Sequence, residues 1–264
     1  LSYEAQLIAK RANVVDALVR TARMDAPRAE ALVAACVPSK RQWGYRNKLE
    51  LSCGADGAGR LILGMRPEGG ADVSLDACPL AHRNIEGAPK ALRGALRYLS
   101  GGQDLGLFRV GVRGSLRTRD VEIALWTAPG PFPRAAAAKT LASALKNTSV
   151  VRVVADPGRA RKVKKVEVLS GKGFWEEDLG GYRFRTSAPS FFQVNTAQAE
   201  KLVGAVVEGY YAARSAHELA QRYGVEMPIS TAVYEVLYEG KSAAPLIGVL
   251  MSRTPKKESD CSWL

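Results

Sequence analysis

Residues 187–200 read Ser-Ala-Pro-Ser-Phe-Phe-Gln-Val-Asn-Thr-Ala-Gln-Ala-Glu, a turn with two adjacent aromatic residues that leads directly into a helical pattern. Asn195 is a favourable N-cap, because its side-chain oxygen can accept a backbone N–H of the first helical turn. Two interpretations of the turn stay open. It forms either an aromatic corner packed beneath the start of the helix, or a small-molecule pocket with Gln193 as its polar group and Phe191 and Phe192 as its walls.

The sequence upstream of this turn predicts an α+β fold with mainly antiparallel sheets and flanking helices. Alternating apolar residues at 49–53 and 61–65, on either side of a glycine-rich turn, predict a β-hairpin. Further strand patterns lie at 107–113, 119–126, 149–154, 166–169 and 182–186, and helical patterns lie at 2–22, 28–36, 86–99 and 134–146. Downstream of the turn every predicted element is a helix, so a small all-helical C-terminal appendix is expected to follow.

The net charge of +12 is unevenly distributed along the chain. Residues 1–205 hold 32 Lys and Arg residues against 19 Asp and Glu residues, whereas residues 206–264 hold six against seven. An excess of this size favours a polyanionic partner, most often nucleic acid, although basic side chains can also serve only to keep a protein solvated. The change at about residue 205 predicts a boundary between two domains, 1–205 and 206–264.

Two basic stretches are the candidates for nucleic-acid contact. The first interleaves aromatic residues with Lys40, Arg41, Arg46 and Lys48. This mixture suits phosphate contact and base stacking, and a strand with one solvated face explains it equally well. The second places five cations within seven residues: Arg159, Arg161, Lys162, Lys164 and Lys165. A solvated loop is the default interpretation of such a run, but it would also bind phosphates.

The four cysteines predict a reducing compartment, the cytoplasm. Cys36, Cys53, Cys78 and Cys261 are too far apart in sequence for a C-x-x-C metal motif, and too few for a disulfide framework. The sequence contains no run of about 18 apolar residues and no signal-peptide pattern, so no membrane association is expected. Because the first residue is not Met, the chain is interpreted as a fragment of a longer reading frame.

Four motifs resemble those of the RNA uracil-5-methyltransferases, most closely the branch that acts on 23S ribosomal RNA. They are Tyr45-Arg46-Asn47-Lys48-Leu49-Glu50, Leu63-Gly64-Met65-Arg66, Cys78-Pro79-Leu80 and Ser190-Phe191-Phe192-Gln193-Val194-Asn195. The resemblance covers about residues 1–205. It implies an S-adenosylmethionine-dependent enzyme whose catalytic cysteine attacks C6 of a flipped-out uracil. It also implies that Gln193 contacts the cofactor and that Cys78 is one of four ligands of a 4Fe–4S cluster.

Several parts of that family's pattern are not found in this sequence. The other three cluster cysteines, the glycine-rich cofactor loop, its acidic ribose contact and the nucleophilic cysteine have no match. One cysteine cannot hold a cluster that needs four thiolates, so no assembled cluster is expected. Cys261 has no basic partner nearby to activate it and is not predicted to be the nucleophile. No catalytic residue is therefore assigned, and the chain is expected to be an incomplete, inactive relative of these enzymes.

Residues 206–260 resemble the carboxyl-terminal end of bacterial NAD(P)-dependent glycerol-3-phosphate dehydrogenase. The resemblance implies that Glu208 matches a glutamate that touches the nicotinamide cofactor. The chain is then a join of two truncated genes, and the apolar face of the tail is expected to be poorly covered. Besides the methyltransferase-like function, two alternatives stay open: a non-catalytic RNA-binding module and a dehydrogenase remnant.

Overall fold

The computed structural model describes residues 1–158, 162–243 and 245–246, apart from the side chains of Val207 and Glu208. The chain divides into two compact units, with the division between residues 199 and 200. The first unit contains a largely antiparallel sheet with flanking helices, and the described part of the second is helical. The predicted α+β class is therefore confirmed.

The elements follow in chain order. The described helices are α1 (Tyr3–Arg20), α2 (Ala26–Leu32), α3 (Ala88–Ser100), α4 (Arg134–Ala142), α5 (Thr196–Tyr223) and α6 (Pro228–Tyr238). The described strands are β1 (Lys48–Ala55), β2 (Leu61–Met65), β3 (Val73–Ser74), β4 (Leu107–Gly114), β5 (Val121–Thr127), β6 (Thr148–Ala155), β7 (Val163–Ser170), β8 (Trp175–Leu179) and β9 (Tyr182–Thr186).

Seven of these strands form one sheet in the order β3-β2-β1-β4-β5-β6-β7, and β8 and β9 form a separate hairpin. All neighbours pair antiparallel except β5 and β6, which are parallel. Helix α4 supplies the crossover that parallel neighbours require, because a tight turn cannot return a chain in the same direction.

One face of the sheet carries the main hydrophobic core. Alternating residues of β1, β4 and β5 point to this face, because side chains alternate along a strand. They pack with the apolar side of α3, which contributes Leu92 and Leu96. The fully buried side chains from these elements include Leu51, Val110, Val112, Ile123 and Leu125.

The opposite face of the sheet is divided between apolar and charged residues. Trp126, Val151 and Val153 form a second, smaller core that Ala188 covers. Beside it, Lys48, Arg113 and Glu122 lie next to one another in register across β1, β4 and β5. This charged row lies at the same end of the sheet as the turn at 187–190, which contacts Arg113.

The structure adds two strands that the sequence patterns did not predict, the two-residue β3 and the five-residue β8. Strand β8 has the sequence Trp-Glu-Glu-Asp-Leu, whose three acids disfavour a half-buried strand. Trp175, Glu177 and Leu179 nevertheless alternate inward, because hydrogen-bond donors satisfy the buried Glu177 side chain.

The predicted cap of α5 is confirmed, since the backbone N–H of Gln198 donates to Asn195 Oδ1 at 3.2 Å.

Among the described residues, no helix combines the length and the apolar character that crossing a membrane requires.

Candidate functional site

Asn47 joins the first basic stretch to the Phe-Phe-Gln turn. Its backbone N–H donates to the carbonyl oxygen of Val194 at 2.8 Å. Its side-chain amide donates to the carbonyl oxygen of Gln193 at 2.8 Å and to Thr196 Oγ1 at 3.0 Å. Because Asn47 is buried and directly precedes β1, these three bonds fix the turn and the start of α5 against the end of the sheet.

We refer to the three hydrogen bonds of Asn47 as the Asn47 joint. Glu177 connects it to the β8–β9 hairpin. Its carboxylate accepts a hydrogen bond from Thr196 Oγ1 at 2.9 Å and one from Ser115 Oγ at 2.7 Å. The backbone N–H of Asp178 donates to the same carboxylate at 3.1 Å. Three donors compensate for the burial of Glu177, which would otherwise destabilise the fold.

Arg113 holds the other side of the turn. Its guanidinium donates to the carbonyl oxygens of Ser187 at 3.0 Å and Ala188 at 3.3 Å, and also to that of Ser190. It also lies over the ring of Trp175, with its central carbon 5.8 Å from the ring centroid. Burial lowers the pKa of Arg113, but these carbonyl acceptors offset part of the cost of burying its charge.

The two phenylalanines of the turn have different environments. Phe192 packs edge-to-face on Trp175, with 5.2 Å between ring centroids, and lies 6.3 Å from the ring of Phe184. Phe191 is 80% exposed. The packing of Phe192 agrees with the aromatic-corner interpretation. The Gln193 side chain lies on the exposed surface of the turn while its backbone carbonyl is held by Asn47.

Glu122 is a buried carboxyl group directly opposite Arg113 on the neighbouring strand. Burial raises its pKa to about 7, and the charges of Arg113 and Lys48 oppose that shift. Its Oε1 atom has no hydrogen-bond partner within the described structure. Arg113 donates to the turn instead, so Glu122 is a titratable group whose charge is poorly compensated.

The predicted residues of the first basic stretch differ in availability. Lys40 and Arg41 are exposed. Arg46 is half-buried, and its backbone pairs with the loop after Cys78. Lys48 forms an ion pair with Glu50 at 2.8 Å, so phosphate contact by Lys48 would compete with that carboxylate.

The second basic stretch is described only in part. Lys164 is paired with Asp156 at 2.6 Å and Lys165 with Glu167 at 3.1 Å, both on or beside the sheet edge formed by β7. Lys162 is exposed. Arg159 and Arg161 lie outside the described residues. The Lys164–Asp156 pair is exposed and weak enough for a phosphate to displace the carboxylate, whereas Glu167 is largely buried and also pairs with Arg134.

The described residues do not fit an iron–sulfur cluster. Cys78 is a half-buried free thiol, and Cys53 is buried on β1, where burial raises its thiol pKa to about 12. In the described part of the chain no group of three or more His, Cys, Asp or Glu side chains could hold a metal ion. Cys261 and the side chain of Glu208 lie outside the described residues.

Sequence reasoning missed the residues that hold the turn in place. The strand pattern at 107–113 includes Arg113, but nothing in that pattern indicates that its side chain is buried and donates to the turn. Glu177 falls in the unpredicted strand β8. One sequence signal for this contact was available. Asn47 lies inside one of the four quoted motifs, and its side-chain amide donates to Gln193, in another of these motifs, 146 residues away.

The larger part of the chain is similar to proteins that modify RNA. An uncharacterized RNA methyltransferase from Thermosynechococcus vestitus is 30% identical over 250 residues, which covers 90% of this chain and 54% of the relative. The body of the chain is similar to RNA methyltransferases. Its fold is similar to that of the Pyrococcus abyssi tRNA (uracil-54, C5)-methyltransferase, solved in complex with S-adenosyl-L-homocysteine. The TM-score is 0.60 at 22% identity, covering 79% of this chain and 49% of that chain.

The carboxyl-terminal part has a second similarity. Residues 181–247 match the family model of the NAD-dependent glycerol-3-phosphate dehydrogenase C-terminus. The glycerol-3-phosphate dehydrogenase [NAD(P)+] of Bartonella quintana is 49% identical over 61 residues, which covers 23% of this chain and 18% of that enzyme. Both predicted resemblances are confirmed. The chain spans about half the length of the methyltransferase relative, and the junction near residue 205 stays a prediction.

Proposed function

We propose that residues 1–205 form the RNA-engaging body of an S-adenosylmethionine-dependent RNA (uracil-5)-methyltransferase that acts on 23S ribosomal RNA in the cytoplasm. The similarity to an RNA methyltransferase over most of the chain supports this proposal. The excess of 32 basic over 19 acidic residues in this part supports an RNA partner.

The Asn47 joint is the observation that carries the proposal. It fastens the stretch containing Lys40 and Arg41 to the turn that presents Gln193, through hydrogen bonds of 2.8–3.0 Å. The cofactor would supply the methyl group, and the exposed amide of Gln193 is the side chain of this chain assigned to hold it. A methyltransferase must keep its RNA contacts and its donor contacts in a fixed relation, because small misplacements of reacting groups are costly.

Binding of RNA tests the first part of the proposal. We expect the affinity for a 23S ribosomal RNA fragment to fall by orders of magnitude between about 50 and 200 mM salt, as bound phosphates release counterions. The double variant Lys40→Ala, Arg41→Ala should weaken binding and reduce the salt slope. Arg20→Ala, which removes an exposed cation already paired with Asp16, is the matched control. Absent or salt-insensitive binding would contradict the proposal.

The second part of the proposal concerns methyl transfer by this chain alone. We propose that it transfers no methyl group, because its sequence offers no match to the family's glycine-rich cofactor loop or to its nucleophilic cysteine. The measurement is incorporation of labelled methyl from S-adenosylmethionine into 23S ribosomal RNA. Turnover above background would overturn this part of the proposal, whereas RNA binding without turnover leaves a non-catalytic RNA-binding function.

The dehydrogenase similarity raises the question of whether this chain binds a nicotinamide cofactor near Glu208. Dinucleotide-binding folds are built on parallel sheets, and within the described residues only β5 and β6 are parallel neighbours. We therefore propose that this chain does not bind NADH. A fluorescence titration with NADH should show no saturation. Saturable binding that is lost in Glu208→Ala would establish the dehydrogenase remnant instead.

A further inference from the structure

An open cavity of about 370 Å³ lies between the first basic stretch and the loop after Cys78. We refer to it as the Trp43 notch. Its lining includes Arg41, Trp43, Pro79, Arg83 and Glu86. The Trp43 side chain is 65% exposed, and Arg41, Arg83 and Glu86 are exposed as well. The notch therefore combines an aromatic face with two cations and one carboxylate. Such a lining suits a ligand that is both aromatic and polar, rather than a purely apolar one.

Backbone hydrogen bonds hold the two walls of the notch together. Gly44 N–H donates to the Pro79 carbonyl at 2.9 Å, and Arg46 N–H donates to the Leu80 carbonyl at 2.8 Å. His82 N–H donates back to the Arg46 carbonyl at 2.8 Å. Trp43 therefore projects from a backbone that is fixed immediately after it, and a ligand would not have to order this loop on binding.

The wall that carries Arg83 is anchored to the end of β4. The residues on either side of Arg83 make the contacts: His82 Nδ1 lies 2.9 Å from the Gly114 carbonyl oxygen, and Asn84 Nδ2 donates to the Ser115 carbonyl at 3.0 Å. Both neighbours face inward, and the exposed Arg83 lies between them. Its position is thus set by the same end of the sheet that holds Asn47 and the Gln193 turn.

No ion pair within the described part of the chain neutralises the charged groups of the notch. Across residues 1–158 and 162–246, leaving aside the few undescribed side chains, Arg41, Arg83 and Glu86 take part in no ion pair. In contrast, Lys48, Lys164 and Lys165 each pair with a carboxylate. Two arginines that are exposed and unengaged are ready to bind phosphate, because a guanidinium matches phosphate geometry with two parallel donors.

Resting on the function proposed above, we propose that the Trp43 notch binds one unpaired guanosine nucleotide of the RNA, outside the reacting base. The base stacks on Trp43, and the flanking phosphates contact Arg41 and Arg83. Glu86 accepts hydrogen bonds from the Watson–Crick edge. Guanine presents two adjacent N–H donors there, which match the two oxygens of a carboxylate. Single-stranded RNA exposes this edge, whereas a duplex hides it.

Fluorescence anisotropy with labelled single-stranded RNA hexamers tests this site. The probes are hexauridine and the same hexamer with one central guanosine, compared at one salt concentration. Trp43→Ala should bind the guanosine probe about tenfold more weakly, and Trp43→Phe should recover most of the affinity because it keeps an aromatic face. Tyr98→Ala, which removes an 82% exposed aromatic from α3, is the control and should bind as the unaltered chain does.

The charged residues give two independent measurements. Arg83→Ala should lower the slope of log affinity against log salt by about 0.7, the value for one phosphate contact on a single strand. Glu86→Gln should erase the preference for the guanosine probe while leaving hexauridine binding unchanged. A guanosine preference that survives this change, or is absent from the unaltered chain, overturns the role of Glu86.

The outcomes separate this inference from the function on which it rests. Salt-sensitive RNA binding that is unchanged in Trp43→Ala refutes the notch and leaves the RNA-engaging body intact. No RNA binding by the unaltered chain refutes both. Loss of affinity in Trp43→Ala with recovery in Trp43→Phe supports both. Thermal unfolding of each variant should match that of the unaltered chain, because the altered side chains are exposed.

Discussion

The two compact units treat their large apolar side chains in opposite ways. The first unit buries Leu92 and Leu125 completely. It also buries charged groups such as Glu177, whose carboxylate accepts hydrogen bonds from neighbouring residues. In the described part of the second unit, the buried apolar residues are only Ala220 and Ala232. The large apolar side chains that stay exposed there include Leu202, Val206, Leu219, Ile229, Val233 and Leu237. Exposed apolar side chains of this kind are what the expectation of a poorly covered tail predicts.

Aromatic stacking holds the second unit together in place of a core. Tyr234 stacks on His217 with 4.0 Å between ring centroids and a 7° interplanar angle, and on Tyr238 at 5.0 Å. The Tyr238 hydroxyl donates to the Tyr210 carbonyl at 2.8 Å. The contrast is that the described helices of the second unit bury few large apolar side chains, whereas the sheet of the first unit depends on contacts between distant residues.

The largest expected effect comes from removing core volume in the first unit. Leu125→Ala should lower the free energy of unfolding by about 4 kcal/mol, because it leaves a cavity in a strand buried on both faces. Leu219→Ala, at a 53% exposed position of α5, should change it by less than about 0.5 kcal/mol. Urea unfolding followed by circular dichroism measures both. Equal effects would erase the contrast between the units.

Asn47→Ala should lower the free energy of unfolding by about 2–3 kcal/mol, because it removes both side-chain bonds and leaves buried acceptors without partners. Amide hydrogen exchange should accelerate in residues 193–197 more than in the core strands. Asn84→Ala, which removes one bond at 3.0 Å to the Ser115 carbonyl, is the control and should cost about 1 kcal/mol. A cost for Asn47→Ala no greater than that of the control would show that the joint is unimportant.

Glu122 gives the first unit a pH dependence. Its pKa is about 7 in the folded chain against an ordinary value of 4.5, so the folded state binds the proton more tightly. Stability from this group is therefore present below about pH 4.5 and declines as pH rises toward 7, by up to about 3 kcal/mol.

The variant Glu122→Gln isolates this contribution. The difference in unfolding free energy between Glu122→Gln and the unaltered chain should shift in favour of the variant by about 2 kcal/mol between pH 5 and pH 8. Taking the difference cancels titration of other groups such as His82, whose pKa burial lowers. A difference that does not change with pH would contradict the raised pKa.

The smallest expected effect lies in the second unit. Tyr234→Ala should lower stability by about 1 kcal/mol, since it removes the stacking contacts with His217 and Tyr238. The measurement is loss of far-ultraviolet helical signal on heating. Tyr223→Ala, which removes an exposed tyrosine at the end of α5, is the control and should have no measurable effect. A cost as large as that of Leu125→Ala would show that the second unit has a core after all.

Local patterns predicted most of the elements correctly. The hairpin of β1 and β2 followed from alternation, and the start of α5 followed from the Asn195 cap. Strand β8 escaped prediction because the donors that make its acidic sequence tolerable come from Ser115 and Thr196, far away in the chain. Helix α4 ends at Ala142, four residues before its predicted end, and Asn147 then takes a left-handed conformation that leads into β6.

The candidate site shows the same limit. The motifs around Asn47 and Gln193 were visible in the sequence, and so were the exposed basic residues beside Trp43. Nothing in the spacing indicated that the Asn47 amide bonds to the Gln193 turn, or that Arg83 and Glu86 join Trp43 in one cavity. The burial of Arg113 was equally invisible, because the pattern of charge alone cannot separate a solvated cation from one held by carbonyl oxygens.

By itself, the sequence determined the fold class, the capped start of α5, the uneven charge and the two family resemblances, because periodicity, capping and composition act over a few residues. Only the tertiary structure decided which polar groups are buried together and which cations stay available to a ligand. Burial, hydrogen-bond partners and the pKa of a group such as Glu122 depend on residues brought close by strand pairing, and that proximity is a property of the folded chain.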